Sequence, residues 1–593
     1  MSASETIPVK LKRLEAFQHA VLTENVRPTA VLAALKVLLN TSDLYKEANI
    51  SIDTEWSINE NGEDMSREDN INAESDDSDS FSEVDETDNV PVMTLLEEPT
   101  IDRNAVVSVA PGEGQRPLSI FKDPDAEYLA FPTLFCGKRR PDNEERSVIA
   151  HYSDICKWEL RHVDRRIALH IPNIFYKMKR LQTQQVCSKV NLAVRRCKTK
   201  SKNYTAGYIL KDNMGESLVK LDEGYKIFRT IRNSPQYWEN QKKEVFAMIR
   251  QLGLPTLFIY LSANDLQWTE LLVTLGKLVD NKDYSNDMNN DSLSWETRTR
   301  LVQSDPVTCV RHFDNRVSKF IDLILKSRDS PFGILQDFFY RVEFQQRGSP
   351  HIHMLAWIES APKFGENQED EVIEYIDKVA SCSSQVPLEN EKYIDFQKHK
   401  HSRTCRKGGK PVCRFGIPFP PMRKTTIIRP YDGSERECYE EKYNSIREQL
   451  NSLKDDLCFD DFLTLVNLTE EDYMIAIQTS VKTEKVFLKR EPYECRINPY
   501  MTDLYHVLKA NHDIQFVLDA YACAMYIVSY INKSAKGMSQ LMADACKEAK
   551  NGNKTLKESV RHIGNKFLNA SEVSAQEAVY LVLQLSVPSK SGK

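Results

Sequence analysis

The sequence predicts an α+β fold in which an antiparallel sheet carries the functional residues. PTLFIYLSA, at 255–263, is typical of a buried strand, and an amphipathic helical pattern follows from Trp268. Further on, FFYRVEF at 338–344 and IHMLAWI at 352–358 are strand-like segments separated by a Gly-Ser-Pro turn. A strand, a helix and a β-hairpin in this order favour an α+β sheet domain.

Length and charge divide the chain into several parts. Its 593 residues suffice for roughly three or four domains. Residues 51–100 contain 17 acidic residues and one arginine, with few apolar residues to bury. We expect this segment to be a disordered linker; a nucleic-acid mimic and a partner-binding segment are the alternatives. The remainder is net positive, although the whole chain has a formal charge of −7.

Cysteine usage and the N-terminus predict a soluble intracellular protein. The 13 cysteines come without a secretory signal peptide, which favours a reducing compartment and thiols that serve as core residues or metal ligands. No apolar stretch is long enough to span a bilayer. We therefore expect no membrane association.

Helical patterns flank the predicted sheet. Residues 11–40 have helical spacing, and Pro28 indicates the start of a second helix. Residues 150–250 are predicted to be mainly helical and are basic. This pattern is consistent either with binding to a DNA backbone or with a solvated helix face. Asn264 and Asp265 are candidate caps for the helix that follows the first strand, and 315–327 is predicted to be helical.

Two histidines alternate on the second strand of the predicted hairpin. His351 and His353 flank Ile352, so both imidazoles point to one face of the strand. Such a pair either binds a metal or consists of ordinary strand histidines. The alternation alone leaves both interpretations open.

The length of the hairpin loop decides which residues face the histidines. A three-residue loop at 347–349 pairs Gln345 with His351 and Glu343 with His353, so either side chain can be the third ligand. Such a set suits Mg²⁺ or Mn²⁺ and leaves positions open for phosphate oxygens. A two-residue loop would place Phe344 opposite His351 and separate the ligands.

Several long segments resemble one family in the expected order. They are RVEFQQRGSPHIHMLAW at 341–357, QLGLPTLFIYLSANDLQW at 251–268, CRFGIPFPP at 413–421 and DAYACAMYIVSYINKSAKGMS at 519–539. They resemble the Rep-type (helitron helicase-like) domain of Helitron transposons, within the His-hydrophobic-His (HUH) endonucleases of rolling-circle replication. The resemblance covers about residues 105–593 and implies an HUH (Rep/relaxase-like) nuclease core on an antiparallel sheet.

A tyrosine pair supplies the candidate nucleophiles. Tyr526 and Tyr530 lie four residues apart, and Lys533 follows on the same helical face. A buried aromatic stripe is the ordinary interpretation of this spacing. The resemblance instead implies that these tyrosines cleave and transfer single-stranded DNA through a 5′-phosphotyrosine, with Lys533 steadying the phosphate or the tyrosinate.

A second cluster indicates structural zinc. His399, His401, Cys405 and Cys413 form a tetrahedral ligand set, in which Cys382 is an alternative to one histidine. A charged loop without metal is the other interpretation. The neighbouring side chains suited to single-stranded DNA are Arg403, Arg406, Lys407, Lys410 and Arg414, with Phe415 or Phe419 for base stacking.

Helitron proteins usually continue into a helicase, but every Gly-Lys pair here lacks the phosphate-loop pattern. We therefore expect a truncated element, with a helicase supplied by another chain or missing from the gene model. The predicted function is metal-dependent cleavage and transfer of single-stranded DNA at transposon ends in the nucleus, or otherwise the cytoplasm. The alternative is an inactive DNA-binding remnant.

The resemblance and the composition together predict seven segments. They are a helical N-terminal segment (1–50), the acidic linker (51–100), a basic, mainly helical DNA-binding region (101–250), the first part of the nuclease core (251–380), a zinc-binding insertion (381–430), the completion of the core with the two-tyrosine helix (431–545) and a segment leading toward an absent helicase (546–593).

Overall fold

The chain forms two compact units. The structure, a computed structural model, describes residues 7–11, 22–26, 28–48, 123–140, 147–200, 232, 234–289, 292–345, 348–387, 391–401, 405, 413–453, 457–519 and 573–585. The first unit comprises Met1–Ile155, Phe175–Ile227 and Lys536–Glu572. The second comprises Cys156–Ile174, Phe228–Ala535 and Val573–Lys593. No described helix is both long and apolar enough to cross a membrane.

Two paired strands are the first described elements of the first unit, where the sequence predicted a helix at 22–26. Strands β1 (Ile7–Leu11) and β2 (Leu22–Val26) pair antiparallel, and helices α1 (Pro28–Thr41) and α2 (Asp43–Glu47) follow. The helix predicted over residues 11–40 is therefore wrong at 22–26, because pairing with β1 overrides the local helical spacing. The predicted helix start at Pro28 is confirmed, since proline suits the first helical position.

A buried carboxylate connects the helices of the first unit. Glu127, in α3 (Ala126–Ala130), precedes α4 (Pro132–Phe135) and accepts hydrogen bonds from Lys177 Nζ at 2.7 Å, Arg140 Nη1 at 2.9 Å and the Tyr152 hydroxyl at 3.0 Å. Tyr152 and Lys177 belong to α5 (Tyr152–Arg161) and α6 (Ile171–Lys200). Burial raises the pKa of Glu127, but Lys177 and Arg140 outweigh it and hold this pKa at about 2.

The second unit combines a mixed set of helices with antiparallel strands. In chain order its elements are α7 (Pro235–Leu252), β3 (Leu257–Ser262), α8 (Thr269–Leu275), α9 (Ser285–Asn289), α10 (Trp295–Ser304), α11 (Pro306–Lys319), β4 (Leu335–Phe344), β5 (Pro350–Ile358), α12 (Glu369–Val379), α13 (Glu391–Gln397), β6 (Thr426–Ile428), α14 (Arg436–Ser452), α15 (Phe459–Val466), α16 (Glu470–Thr479), β7 (Lys485–Phe487), α17 (Tyr505–Leu508), β8 (His512–Phe516) and α18 (Ala575–Leu583). Short π-helical segments, Gly276–Asp280 and Phe320–Leu325, follow α8 and α11.

A four-stranded antiparallel sheet in the order β4-β5-β3-β8 forms the centre of the second unit. Every residue of β5 is buried, since the strand lies between two neighbours and both of its faces are covered. The predicted strand at 255–263 and the predicted hairpin are confirmed. The sheet and its surrounding helices also confirm the α+β class.

Two local helix predictions had different outcomes. Helix α8 begins after Trp268, so Asn264 and Asp265 do not cap it. The carbonyl of Asn264 instead accepts the N–H groups of Gln267 and Trp268 in a turn, and its side-chain amide donates to the carbonyl of Lys509. The helix predicted at 315–327 is confirmed by α11 and the π-helical residues after it.

Helix α7 packs against one face of the sheet. Ser234 caps its N-terminus by accepting the N–H of Tyr237. The shared core contains Tyr237, Trp238, Val245 and Met248 from the helix and Phe258, Phe339, Leu355, Trp357 and Val517 from the sheet side. Leu355 and His353 lie two residues apart on β5, so α7 covers the histidine-bearing face of the sheet.

A second core positions the segment that contains the His/Cys cluster. Helices α14, α15 and α16 pack with residues of β6 and β7 around Tyr473, whose hydroxyl donates to the carbonyl of Pro421. Met422 and Arg490 exchange backbone hydrogen bonds, and the N–H of Phe419 donates to the carbonyl of Cys495. These contacts hold residues 413–422 beside 490–496.

Candidate metal centre

Two adjacent strands bring Glu343, His351 and His353 onto one face of the sheet. In the β4–β5 pair, Glu343 lies opposite His351 and Arg341 lies opposite His353. Side chains of directly opposed residues share a face, and residues two apart on one strand share it too. The predicted register, which pairs Gln345 with His351 and Glu343 with His353, is therefore wrong by two residues.

The hairpin connection explains the shift. It contains residues 345–349, because the strand pairing ends at Phe344 and Pro350. The N–H of Gly348 donates to the carbonyl of Gln345 at 2.8 Å, and the N–H of Gln345 donates to the carbonyl of Ser349 at 3.2 Å. Gly348 has a φ of 100°, which glycine adopts most readily. A shift of two residues preserves the alternation of side chains, so Glu343 keeps its place on the histidine face.

The three side chains meet at one carboxylate oxygen. Oε2 of Glu343 lies 3.6 Å from Nε2 of His351 and 3.3 Å from Nε2 of His353. Both imidazoles are buried, whereas 27% of the Glu343 side chain is exposed. Gln345 is exposed in the connection and has no place opposite either histidine.

Electrostatics favour a charged carboxylate beside a neutral imidazole. Burial raises the pKa of Glu343, but the two histidines and Arg341 outweigh it and lower this pKa well below its ordinary value. Burial lowers the pKa of His353, against the opposite influence of Glu343. Near neutral pH, the carboxylate is therefore ionised and His353 offers a nitrogen lone pair.

These residues fit a divalent cation. Metal ligands must be deprotonated, and the lowered pKa values of Glu343 and His353 satisfy that requirement. Ligand atoms at about 2.1 Å from one ion lie about 3.0 to 3.5 Å apart, close to the two separations found here. Two imidazoles and one carboxylate suit Mg²⁺, Mn²⁺ or a similar ion and leave further positions for phosphate oxygens or water.

Two side chains that the sequence did not single out complete this face. The ring of Tyr260, on β3, has its centroid 5.3 Å from those of both His351 and His353. Nη2 of Arg341 lies 4.0 Å from Oε2 of Glu343. Tyr260 reaches the histidines through the pairing of β3 with β5, which sequence spacing does not reveal. For Arg341 the sequence contains one local indication: it lies two residues before Glu343 and therefore on the same face of the strand.

The predicted His/Cys cluster also converges. Sγ of Cys405 lies 3.5 Å from Nδ1 of His401, and Sγ of Cys413 lies 3.6 Å from Nε2 of His399. One ligand atom from each of the four side chains lies within 4.8 Å of the others. The N–H of Arg414 donates to the carbonyl of Cys405 at 2.8 Å and holds the backbones of these two residues together.

This second cluster fits tetrahedral zinc. Zn–S and Zn–N bonds of about 2.3 and 2.0 Å place neighbouring S and N atoms about 3.5 Å apart, as observed. Burial and Arg496 lower the pKa of His399, which favours its neutral, metal-binding form. Cys382, the alternative ligand, is directed elsewhere, because its thiol donates to the carbonyl of Lys489 at 3.0 Å.

Some predicted DNA-contacting residues flank this cluster. The guanidinium of Arg414 lies 4.6 Å from the centroid of the Phe415 ring, and Phe415 is exposed. Phe419 packs against the small buried cluster that contains Cys405 and Cys413. Arg403, Arg406, Lys407 and Lys410 lie outside the described residues, as do Tyr526, Tyr530 and Lys533.

A family model matches part of the chain. Residues 157–356 match the Helitron helicase-like domain at N-terminus. Over this range the match confirms the predicted resemblance to the Helitron helicase-like domain, and the matched range includes Glu343, His351 and His353. The His/Cys cluster and the tyrosines lie beyond residue 356. The comparison with curated proteins gave no match.

Proposed function

We propose that this chain is a metal-dependent single-stranded DNA endonuclease and strand transferase of a rolling-circle transposon. The matched domain indicates a Helitron-related DNA-processing protein. The observation that carries the finer proposal is the convergence of Glu343, His351 and His353 on one sheet face within that domain. This arrangement offers an ion three protein ligands and leaves room for substrate oxygens.

The chain's own residues hold the site ready for substrate. Glu343, His351 and His353 would bind the ion, and the Tyr260 ring packs against both imidazoles and restricts their orientation. A bound divalent ion withdraws charge from a phosphodiester and so promotes attack at phosphorus. Arg341, close to the carboxylate, adds positive charge beside the phosphate position.

The nucleophile is assigned by resemblance to Tyr526 or Tyr530. The phenolic oxygen forms a bond to phosphorus while the bond from phosphorus to the 3′-oxygen breaks. The phenolic proton is lost and the 3′-oxygen gains one, so the products are a 5′-phosphotyrosine and a free 3′-hydroxyl. Lys533 stabilises the tyrosinate or the phosphate.

Two tyrosines permit two successive transfers. A 3′-hydroxyl that attacks the phosphotyrosine restores the phosphodiester and releases the tyrosine. The covalent intermediate conserves the energy of the broken bond, so rejoining needs no ATP. The expected compartment is the nucleus.

The His/Cys cluster has a structural role in this proposal. Zinc on His399, His401, Cys405 and Cys413 would fix the loop between the cysteines, which is rich in arginine and lysine. The exposed Phe415 ring, beside Arg414, offers a surface on which a base can stack. This side of the unit would therefore grip single-stranded DNA.

The direct test uses oligonucleotides labelled at either end. The purified chain is incubated with 5′-labelled or 3′-labelled single strands and Mn²⁺, then resolved on a denaturing protein gel. We expect a covalent band that retains only the 3′-labelled fragment. The matched variants are Tyr526→Phe, Tyr530→Phe and the double variant, and the band should vanish in the double variant.

Other outcomes identify other functions. Cleavage without a protein adduct would indicate that water, not tyrosine, attacks the phosphate. Binding without cleavage across metals and sequences would support the alternative of an inactive DNA-binding remnant. Tyr521→Phe is the control variant, because Tyr521 lies five residues before Tyr526 and is predicted to lie off the nucleophile face.

A further inference from the structure

Helix α18 packs against the hairpin that carries the metal ligands, although it lies far along the chain from that hairpin. The sheet is complete at the end of β8, at Phe516, and α18 (Ala575–Leu583) belongs to the same compact unit. Seven residues of α18 are buried, and the polar Gln576 and Glu577 are among them. An ordinary surface helix keeps a polar face in water, so this helix is enclosed more fully than its composition requires.

An aromatic contact connects α18 to the end of strand β4. The ring of Tyr580, which is almost fully buried, meets the ring of Phe344 edge-on, with the centroids 5.5 Å apart. The guanidinium of Arg232 lies over both rings, 5.5 Å from the Phe344 centroid and 5.2 Å from that of Tyr580. These three side chains hold the last residue of β4 against the helix.

Arg232 also connects α18 to the backbone of β4. Its Nε lies 3.6 Å from a carboxylate oxygen of Glu577, and its Nη2 donates to the carbonyl of Val342 at 2.8 Å. Val342 and Phe344 are the residues directly before and after Glu343. The contacts of α18 therefore restrain the chain on both sides of the metal-binding carboxylate.

The first turn of α18 holds the connection between the two strands. Nε2 of Gln576 donates to Oδ2 of the buried Asp265 at 3.3 Å, and Ser349 hydrogen-bonds to the same carboxyl group. The backbone of Gly348 passes beside this turn, where a Cβ would lie 3.8 Å from Cγ of Gln576. The connection that determines the hairpin register is thus packed against α18.

Glu343 depends on such support more than the two histidines do. His351 and His353 lie on β5, between β4 and β3, whereas β4 has one neighbour among the described strands. The Glu343 side chain is also 27% exposed, while both imidazoles are buried. Residues outside the sheet ladder therefore have the larger part in fixing the position of this carboxylate.

We propose that helix α18 positions Glu343 for metal binding, with Tyr580 and Gln576 as positioning residues that act through Phe344 and the hairpin connection. This inference rests on the proposed function, because it takes Glu343 as a ligand of the metal centre. In the sequence, the candidate nucleophiles lie between β8 and α18. The part of the chain that follows them thus completes the site at which they would act.

The test measures Mn²⁺ affinity by titration calorimetry on the zinc-loaded full chain, below the melting temperature of each variant. Tyr580→Leu removes the ring that holds Phe344. It should weaken Mn²⁺ binding about tenfold, as loss of a residue that orients a metal ligand does. Tyr580→Phe keeps the ring and should restore the affinity to within about twofold of the wild type.

The matched control is an aromatic pair in the other core of the same unit. The buried ring of Tyr473 meets that of Phe459 edge-on at 5.5 Å, the same geometry as the pair formed by Tyr580 and Phe344. Tyr473→Leu should lower the melting temperature, because it leaves a cavity, and should leave Mn²⁺ affinity unchanged. A loss of stability alone is thereby separated from a loss of position.

Two further variants follow the contact to the hairpin. Phe344→Leu should weaken Mn²⁺ binding about as much as Tyr580→Leu, and the double variant no more than either, because all three remove one contact. Gln576→Ala removes the hydrogen bond to Asp265 and leaves the aromatic contact in place. It should weaken Mn²⁺ binding about threefold, and it decides the question if Tyr580→Leu does not fold.

The outcomes separate this inference from the proposed function. If folded Tyr580→Leu and Gln576→Ala proteins bind Mn²⁺ like the wild type, α18 only stabilises the fold, and the inference fails while the proposed metal centre stands. An equal loss of affinity in Tyr473→Leu would also overturn it, because stability alone would then explain the effect. Wild-type protein that binds no Mn²⁺ would overturn the metal centre itself.

Discussion

Glu343 lies directly opposite His351 in the β4–β5 hairpin, with Oε2 of the carboxylate 3.6 Å from Nε2 of the imidazole. The same oxygen lies 3.3 Å from Nε2 of His353. The sequence left Glu343 and Gln345 as alternative third ligands. The observed register favours Glu343, because Gln345 belongs to the connection between the strands.

The first prediction separates these two residues. Glu343→Gln should weaken Mn²⁺ binding at least about 100-fold. Replacing a residue that only orients a metal ligand weakens metal binding by up to about 100-fold, and replacing the ligand itself should weaken it at least as much. Gln345→Ala should bind Mn²⁺ like the wild type. Titration calorimetry on zinc-loaded protein measures both affinities. Equal losses in the two variants would show that the hairpin register is wrong.

The second prediction concerns the ring that packs against both histidines. Tyr260→Ala should weaken Mn²⁺ binding about tenfold, because the imidazoles lose the surface that orients them. Tyr260→Phe retains the ring and should stay within about twofold of the wild type. The same calorimetric titration distinguishes them, and an equally weak Tyr260→Phe protein would assign the effect to the hydroxyl.

The candidate metal centre was only partly predictable from the sequence. Alternation around Ile352 identifies two histidines on one face, and this information is local. The third ligand depends on the hairpin register, which hydrogen bonds within residues 345–349 determine. The contribution of Tyr260 depends on the pairing of β3 with β5, strands that are far apart in the chain.

The third prediction concerns zinc. Cys413→Ser should abolish stoichiometric zinc and lower the melting temperature, because a structural zinc site loses a thiolate ligand. Cys382→Ser should retain zinc, since that thiol faces the carbonyl of Lys489. Zinc released on denaturation, measured with a colorimetric chelator, reports both results. Loss of zinc in the Cys382 variant would contradict the ligand set.

The fourth prediction concerns the stability of the first unit against acid. The pKa of Glu127 is about 2 in the folded protein against 4.5 ordinarily, so its ionised form contributes roughly 3 kcal/mol above pH 4.5. That contribution is lost as the pH falls from 4.5 through about 2. Urea unfolding between pH 7 and pH 3 should therefore show a decline in the wild type.

Glu127→Gln should be destabilised near neutral pH, because Lys177 is left buried beside a neutral group. Its stability should also change less below pH 4.5 than that of the wild type. The exposed Asp43→Asn serves as the control and should follow the wild-type curve. Parallel acid curves for the wild type and Glu127→Gln would contradict the assigned ion pairs.

The fold shows the same division between local and long-range information. The strand at 257–262 and the hairpin at 335–358 follow from apolar runs and a turn, so the sequence predicts them. Leu22–Val26 was predicted as helix and is a strand, because its partner β1 lies beyond the local window. The order β4-β5-β3-β8 depends on contacts between distant segments, and no local pattern specifies it.

We propose that Glu343, His351 and His353 form the metal centre at which a DNA phosphate is cleaved. The most direct test of this proposal is anomalous diffraction at the manganese edge from crystals of the Tyr526→Phe, Tyr530→Phe double variant with a bound oligonucleotide. We expect one manganese peak about 2.2 Å from Oε2 of Glu343 and Nε2 of both histidines, with a phosphate oxygen also bound to the ion. Manganese bound elsewhere, or DNA bound away from these three side chains, would contradict it.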